Sequence, residues 1–181
     1  MATSMNPFGF LPARKRDGQP NSEGYGQIVQ PVSNSAVGMV SLIPTTIFAG
    51  DMIFVDATGT ISPAVRASLK ITGVFQGCQY VENGEPKFSR YYPGGISASD
   101  VKLHVITDPT QTYYAQVDAA VTDGAMIKYL NYTVSNSAGS TTTGQSKQNI
   151  GSAVAVDASI GAHVKIIGRK DYDGDSVYGN V

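Results

Sequence analysis

From Gln27 onward the chain is cut into short apolar stretches, each closed by Gly, Pro, Asn, Asp or Ser before it can run to helical length. The segments Gln27 to Val32, Val37 to Ile43, Met52 to Val55, Leu69 to Phe75, Cys78 to Val81 and Phe88 to Tyr92 have this form. So do Val101 to Thr107, Thr112 to Val117, Met126 to Tyr132, Ser152 to Val156 and Val164 to Gly168. With 20 glycines, 9 prolines and many Thr, Ser and Val residues, this punctuation predicts an all-β protein: one or two small barrel-like or sandwich-like lobes of short strands. Val101-Lys102-Leu103-His104-Val105 alternates apolar with polar, so one face of that strand should be buried and the other wet. Glu82-Asn83-Gly84-Glu85 carries the Asn-Gly pair that favours a two-residue turn, which predicts a hairpin pairing Cys78–Val81 with Phe88–Tyr91.

Residues 1–26 differ from the rest. They hold three prolines and four glycines and follow neither a helical nor a strand period, so they read as an extended N-terminal arm. Phe8, Phe10 and Leu11, followed by Arg14, Lys15 and Arg16, make it more apolar than an idle tail. Two readings stand: a disordered terminus, or a segment whose apolar side chains bury against a partner while the basic groups meet its acids. Residues 27–170 form the β domain, as one lobe or as two divided near residue 120, and residues 171–181 form an acidic tail.

Charge and cysteine count narrow the chemistry. With 13 basic and 14 acidic residues the net charge is −1, so no global field draws the chain to nucleic acid or anionic lipid. The single cysteine, Cys78, cannot form an internal disulfide or a thiolate metal cluster. No apolar run has the length of a membrane-spanning helix, and the first residues lack the pattern of a secretory signal, from which a cytoplasmic site of synthesis is expected.

Three motifs come close to a known chemistry and then fail. Gly139-Ser-Thr-Thr-Thr-Gly144-Gln145-Ser146 has phosphate-loop spacing, but Gln145 stands where the phosphate-binding lysine belongs. Asp171, Asp173 and Asp175 are spaced like the first ligands of a calcium loop, but Ser176 replaces the turn glycine and the closing glutamate is missing. Cys78 with His104 or His163 is the least a thiolate–imidazole pair requires, yet Cys78 lies in a strand-like run where a free cysteine is a small buried hydrophobe. No catalytic residue, cofactor site or metal site is therefore assigned, and the chain does not read as an enzyme. The small polar residues Thr133 to Ser146 predict an exposed surface loop. Tyr91-Tyr92 and Tyr113-Tyr114 must each turn one ring away from its own sheet, either as edge-strand packing or as a subunit interface.

Ala49-Gly50-Asp51-Met52-Ile53-Phe54-Val55-Asp56-Ala57-Thr58-Gly59-Thr60-Ile61 launches a strand from a Gly-Asp turn and reverses it at Thr-Gly. A second strand, Leu69-Lys70-Ile71-Thr72-Gly73, then ends in glycine ahead of Phe75. This turn spacing is similar to that of small bacteriophage head decoration, or cement, proteins. The resemblance covers residues 47–78 best and residues 123–168 weakly. It implies a structural virion protein made in the bacterial host cytoplasm, a homotrimer on the outer surface of an icosahedral head. Its partners would be the major capsid protein and further copies of itself, with no nucleic acid or membrane involved. On that reading Phe8, Phe10, Leu11, Arg14, Lys15 and Arg16 bind the capsid, and Tyr91, Tyr92, Tyr113 and Tyr114 form the oligomer interface. The alternatives are another virion part, such as a head fibre base or tail adaptor, and a carbohydrate-binding β domain.

Overall fold

The computed structural model describes residues 7–15, 28–29, 42–64, 71–117, 131–135, 137–154 and 164–167. Within them the chain is all-β, with thirteen strands in several small sheets and no closed barrel. The main sheet has the order β2 (Ile28–Val29), β9 (Ser99–Ile106), β6 (Gly73–Glu82), β4 (Met52–Val55), β5 (Ile61–Pro63), and β7 (Glu85–Ser89) adds to β6. The other sheets pair β1 (Leu11–Lys15) with β10 (Gln111–Tyr114) and β3 (Ile47–Phe48) with β8 (Tyr91–Tyr92). A three-stranded sheet places β11 (Asn131–Ser135) between β12 (Asn149–Val154) and β13 (Val164–Lys165). Every ladder between named strands is antiparallel.

The predicted hairpin forms around its two-residue Asn83-Gly84 turn, but Cys78–Val81 pair with Pro86–Ser89 and not with Phe88–Tyr91, because closing Glu82 on Glu85 sets the partner two residues earlier. Cys78 faces Ser89 and Gln79 faces Phe88, and the strands close on Glu82 opposite Glu85. Asn83 and Gly84 take φ of 53° and 81°, the two positive values that a turn matching strand twist demands. The alternation in β9 also holds, since Val101, Leu103 and Val105 are buried while Lys102 and His104 are half-buried on the other face. Three short strands, β1, β3 and β5, form where the sequence pattern signals none.

Alternation also explains why the main sheet has a core on each side. Successive residues point to opposite faces, so Met52 and Val74 enter one cluster while their neighbours Ile53 and Phe75 enter the other. The first cluster gathers Ile43, Ile47, Ile53, Phe75, Tyr80, Tyr92 and Leu103. The second joins Phe10, Met52, Ala64, Val74 and Ala115 to Tyr132, Val134, Ile150 and Ile166. Residues before and after position 120 thus share one core, which bears on the suggested division into two lobes.

Two segments differ from their sequence reading. Residues 7–15 do not stand off as an arm. Phe10 is 1% exposed, its amide donates to the Gly50 carbonyl at 2.9 Å, and its ring meets Tyr113 edge-on. Burying this ring outweighs the local disorder that Pro and Gly signal. The stretch Thr133 to Ser146, read as an exposed loop, is only partly exposed: Thr133 and Val134 are buried in β11, and Ser146 is 1% exposed. Among its described residues Ala138 and the tip Thr141, Thr142 and Thr143 are exposed. The acidic tail, Arg16, His163 and residues 124–130 lie outside the described residues.

Candidate functional site: a buried polar junction and its surroundings

The Gly50-Asp51 turn lies where the N-terminal segment, the main sheet and residues 139–148 converge. Gly50 takes φ of 94°, and a side chain there would press on the backbone of Phe8 and Phe10 at 3.3 Å, so glycine suits both the turn and the approach. The turn folds back on itself because the Asp51 carboxyl accepts the Phe48 amide at 2.8 Å. Its other oxygen accepts the Ser146 hydroxyl at 2.5 Å, and the Ser146 oxygen in turn accepts the Gln148 amide at 2.9 Å. Gln148 completes the junction: its carbonyl accepts the Met52 amide at 2.8 Å and its NH2 donates to the Ala64 carbonyl at 3.2 Å.

Backbone bonds run alongside. Ser146 donates to Ala49 at 2.9 Å, Ala49 donates to Gly144 at 3.0 Å, and Ala49 pairs with Gln145 as a parallel bridge. The Gln145 side chain reaches the Phe8 carbonyl at 3.3 Å. Asp51 is 2% exposed, and that burial pushes its carboxyl up to about 6 against the opposing pull of Ser146 and Phe48.

This geometry accounts for the phosphate-loop spacing in structural terms. The amides of Ser140 and Gly144 are spent on a tight turn, bonding Gln145 and Ser140 carbonyls at 2.9 Å and 2.7 Å. Gly139 and Gly144 are small because Phe48 and Arg90 pack over them, where a Cβ would come within 2.4 Å and 2.7 Å. The glycines serve packing and the amides already have acceptors.

Cys78 is buried, which pushes its thiol up to about 12, and its Sγ lies 3.4 Å from the Tyr91 carbonyl. At neutral pH it is a protonated core thiol. His104 stands on the half-buried face of β9, in register with Ile28 and Gly77. Among the described residues no group of three His, Cys, Asp or Glu side chains could hold a metal ion.

The predicted contact residues scatter. Tyr92 is fully buried with its ring edge-on to Tyr80, and Tyr91 stacks on Phe48. Tyr113 packs against the second core, where burial and then the neighbouring Asp108 raise its hydroxyl well above the usual range. Tyr92, fully buried within the chain, cannot face a partner. Phe8 is half-buried beside the junction, and Phe10 lies in the core and cannot anchor in a partner. Arg14 and Lys15 belong to β1, whose described backbone pairs Lys15 with Gln111.

Two predicted residues are brought together. Leu11 from the supposed arm and Tyr114 from a tyrosine pair sit directly across the β1–β10 ribbon, 39% and 38% exposed. Directly opposed residues share a face, so they form one outward apolar pair. Sequence reading missed Phe88, which is 77% exposed on β7, and the polar set Asp51, Ser146 and Gln148. An apolar cleft of about 440 Å³, lined by Phe10, Met52, Val74, Tyr113, Ile150 and Ile166 with Asp108 and Lys165, opens beside the second core. No protein-family model, no curated protein and no solved structure matches the chain.

Proposed function

We propose that the chain is a structural virion protein, a capsid decoration protein that binds the outer surface of a phage icosahedral head and stabilises the mature shell. The observation that carries this reading is how the turn unit of residues 47–78, the part that resembles the decoration family, is used. Its described residues, 47–64 and 71–78, carry a core on each face of their strands, and both the N-terminal segment and residues 144–148 are tied onto them. The buried polar side chains there hold chain to chain, and apolar side chains are turned outward elsewhere, at Leu11, Tyr114 and Phe88. That division suits a rigid body whose task is attachment.

Attachment works by mass action. A subunit with higher affinity for the expanded lattice than for the precursor shell stabilises the expanded form by its differential binding. With Phe10 committed to the core, the contact falls to the outward Leu11–Tyr114 pair. The test is co-sedimentation of purified protein with precursor and expanded heads of its own major capsid protein. Saturable binding to expanded heads at high copy number, weakened by the double substitution Leu11→Asp with Tyr114→Asp, supports the reading. Absence of binding to either form of head overturns it, and binding unaffected by the double substitution overturns the assignment of the contact.

A further inference from the structure

Asp51 is an unusual residue to find at the meeting point of three segments. It is 2% exposed, and its two oxygens receive two hydrogen bonds, from Phe48 and Ser146. Of the elements around it, the N-terminal residues 7–10, strands β3 and β4 and the Phe75 region of β6 bring no charged side chain. Lys147, on the adjoining segment, is exposed, and Arg90 packs by its Cβ and backbone against Gly144. Among the described residues no charged group contributes to the environment of the Asp51 carboxyl, which burial and its two hydrogen bonds define. An ionised carboxylate buried without a cation is costly, and the cost disappears when the group takes up a proton.

We propose that Asp51 is a protonation-controlled latch: in its neutral form it holds residues 144–148 and the N-terminal residues 8–10 on the Gly50-Asp51 turn, and in its ionised form it lets them open. The inference does not depend on capsid binding. A carboxyl at about 6 when folded and at 3.8 when released binds its proton more tightly in the closed state. Its contribution to closure is therefore complete below 3.8 and is lost as pH rises through about 6. Proton linkage between those two values makes opening about tenfold more favourable at pH 8 than at pH 5. The change levels off once both states are ionised.

The readout is hydrogen exchange of the Phe10 and Ser146 amides, which donate to Gly50 and Ala49. It is measured on the whole chain from pH 5 to pH 8 and corrected for intrinsic exchange. Protection of these amides should fall about tenfold over that range while the Cys78–Ser89 ladder of the hairpin keeps its protection. Asp51→Asn retains an acceptor for Phe48 or Ser146 but does not titrate, so its protection should be flat with pH. A second variant, Ser146→Ala, leaves the carboxyl in place and should keep a pH dependence. An equal pH dependence in Asp51→Asn and the wild-type chain, or flat protection in the wild-type chain, overturns the proposal.

Discussion

Gln148→Met isolates what the polar junction contributes to stability. Gln148 is 0% exposed and serves two elements, accepting from the Met52 amide at 2.8 Å and donating to the Ala64 carbonyl at 3.2 Å, with a longer contact of 3.4 Å to the Met52 carbonyl. Methionine has nearly the same volume and can follow the same path, so no large cavity opens. What is lost is the pairing of a buried N–H and a buried C=O. An orphaned buried donor costs about 1–3 kcal/mol and the carbonyl adds a smaller amount, which together give about 3 kcal/mol. For a chain of this length that corresponds to a fall in Tm of roughly 6–12 °C. Urea melts followed by far-UV dichroism measure it directly, with m unchanged because the same surface is exposed. Gln148→Glu is the companion variant: its carboxyl can still accept from Met52, but it donates to Ala64 only when protonated, so its defect should shrink as pH falls. If Gln148→Met lies within about 0.5 kcal/mol of the wild-type chain, the junction does not hold the strands together as argued.

Two glycine substitutions should separate crowding from backbone strain: a Cβ at position 139 would lie 2.4 Å from Phe48 Cγ, whereas one at Gly84 meets nothing within 4 Å. Gly139→Ala should therefore cost about 2–3 kcal/mol in urea melts and Gly84→Ala about 1 kcal/mol, and a reversed order would refute the packing at Phe48. Phe88→Ser, at a residue 77% exposed, should leave the melting free energy within about 0.5 kcal/mol. Cys78, with its thiol pushed up to about 12 by burial, should resist an aromatic disulfide reagent in the folded chain and react fully in urea. Rapid stoichiometric labelling without denaturant would show that the thiol is accessible.

What the sequence revealed was what local chemistry decides. Asn83-Gly84 specifies its turn through the two positive φ values, and the period of β9 follows from burial on one side, so both are legible within a few residues. Phe10 and residues 139–148 are not legible that way. Phe10 is flanked by Gly9 and Pro12, which read as an arm, and its burial depends on Gly50 and Tyr113. The Ser, Thr and Gly run before Gln148 reads as a loop because its composition says nothing of a partner 95 residues away in sequence. The tyrosine pairs mislead for a related reason: alternation correctly turns neighbouring rings to opposite sides, but it does not say which ring finds a partner within the chain, as Tyr92 and Tyr113 do, and which is turned outward, as Tyr114 is. The outward Leu11–Tyr114 pair was contained in the candidate list, yet only the cross-strand register shows that the two belong together.

The junction is polar because the segment it secures has little else to offer. Between Gly139 and Gln148 there is no Val, Ile, Leu, Phe or Met, so apolar burial cannot fix where these residues lie against β3. Hydrogen bonds can, because they are directional and leave a defined penalty when misplaced. The Ala49–Gln145 bridge sets the position along the chain, the Ser146 hydroxyl reaches the Asp51 carboxyl, and Gln148 then meets both Met52 and Ala64. A shift by one residue would turn Ser146 and Gln148 away together, since alternate residues share a face. Such a shift would strand the Asp51 carboxyl without its hydroxyl partner and the Met52 amide without an acceptor. The same arrangement that gives the segment one register also makes it dependent on the protonation of Asp51.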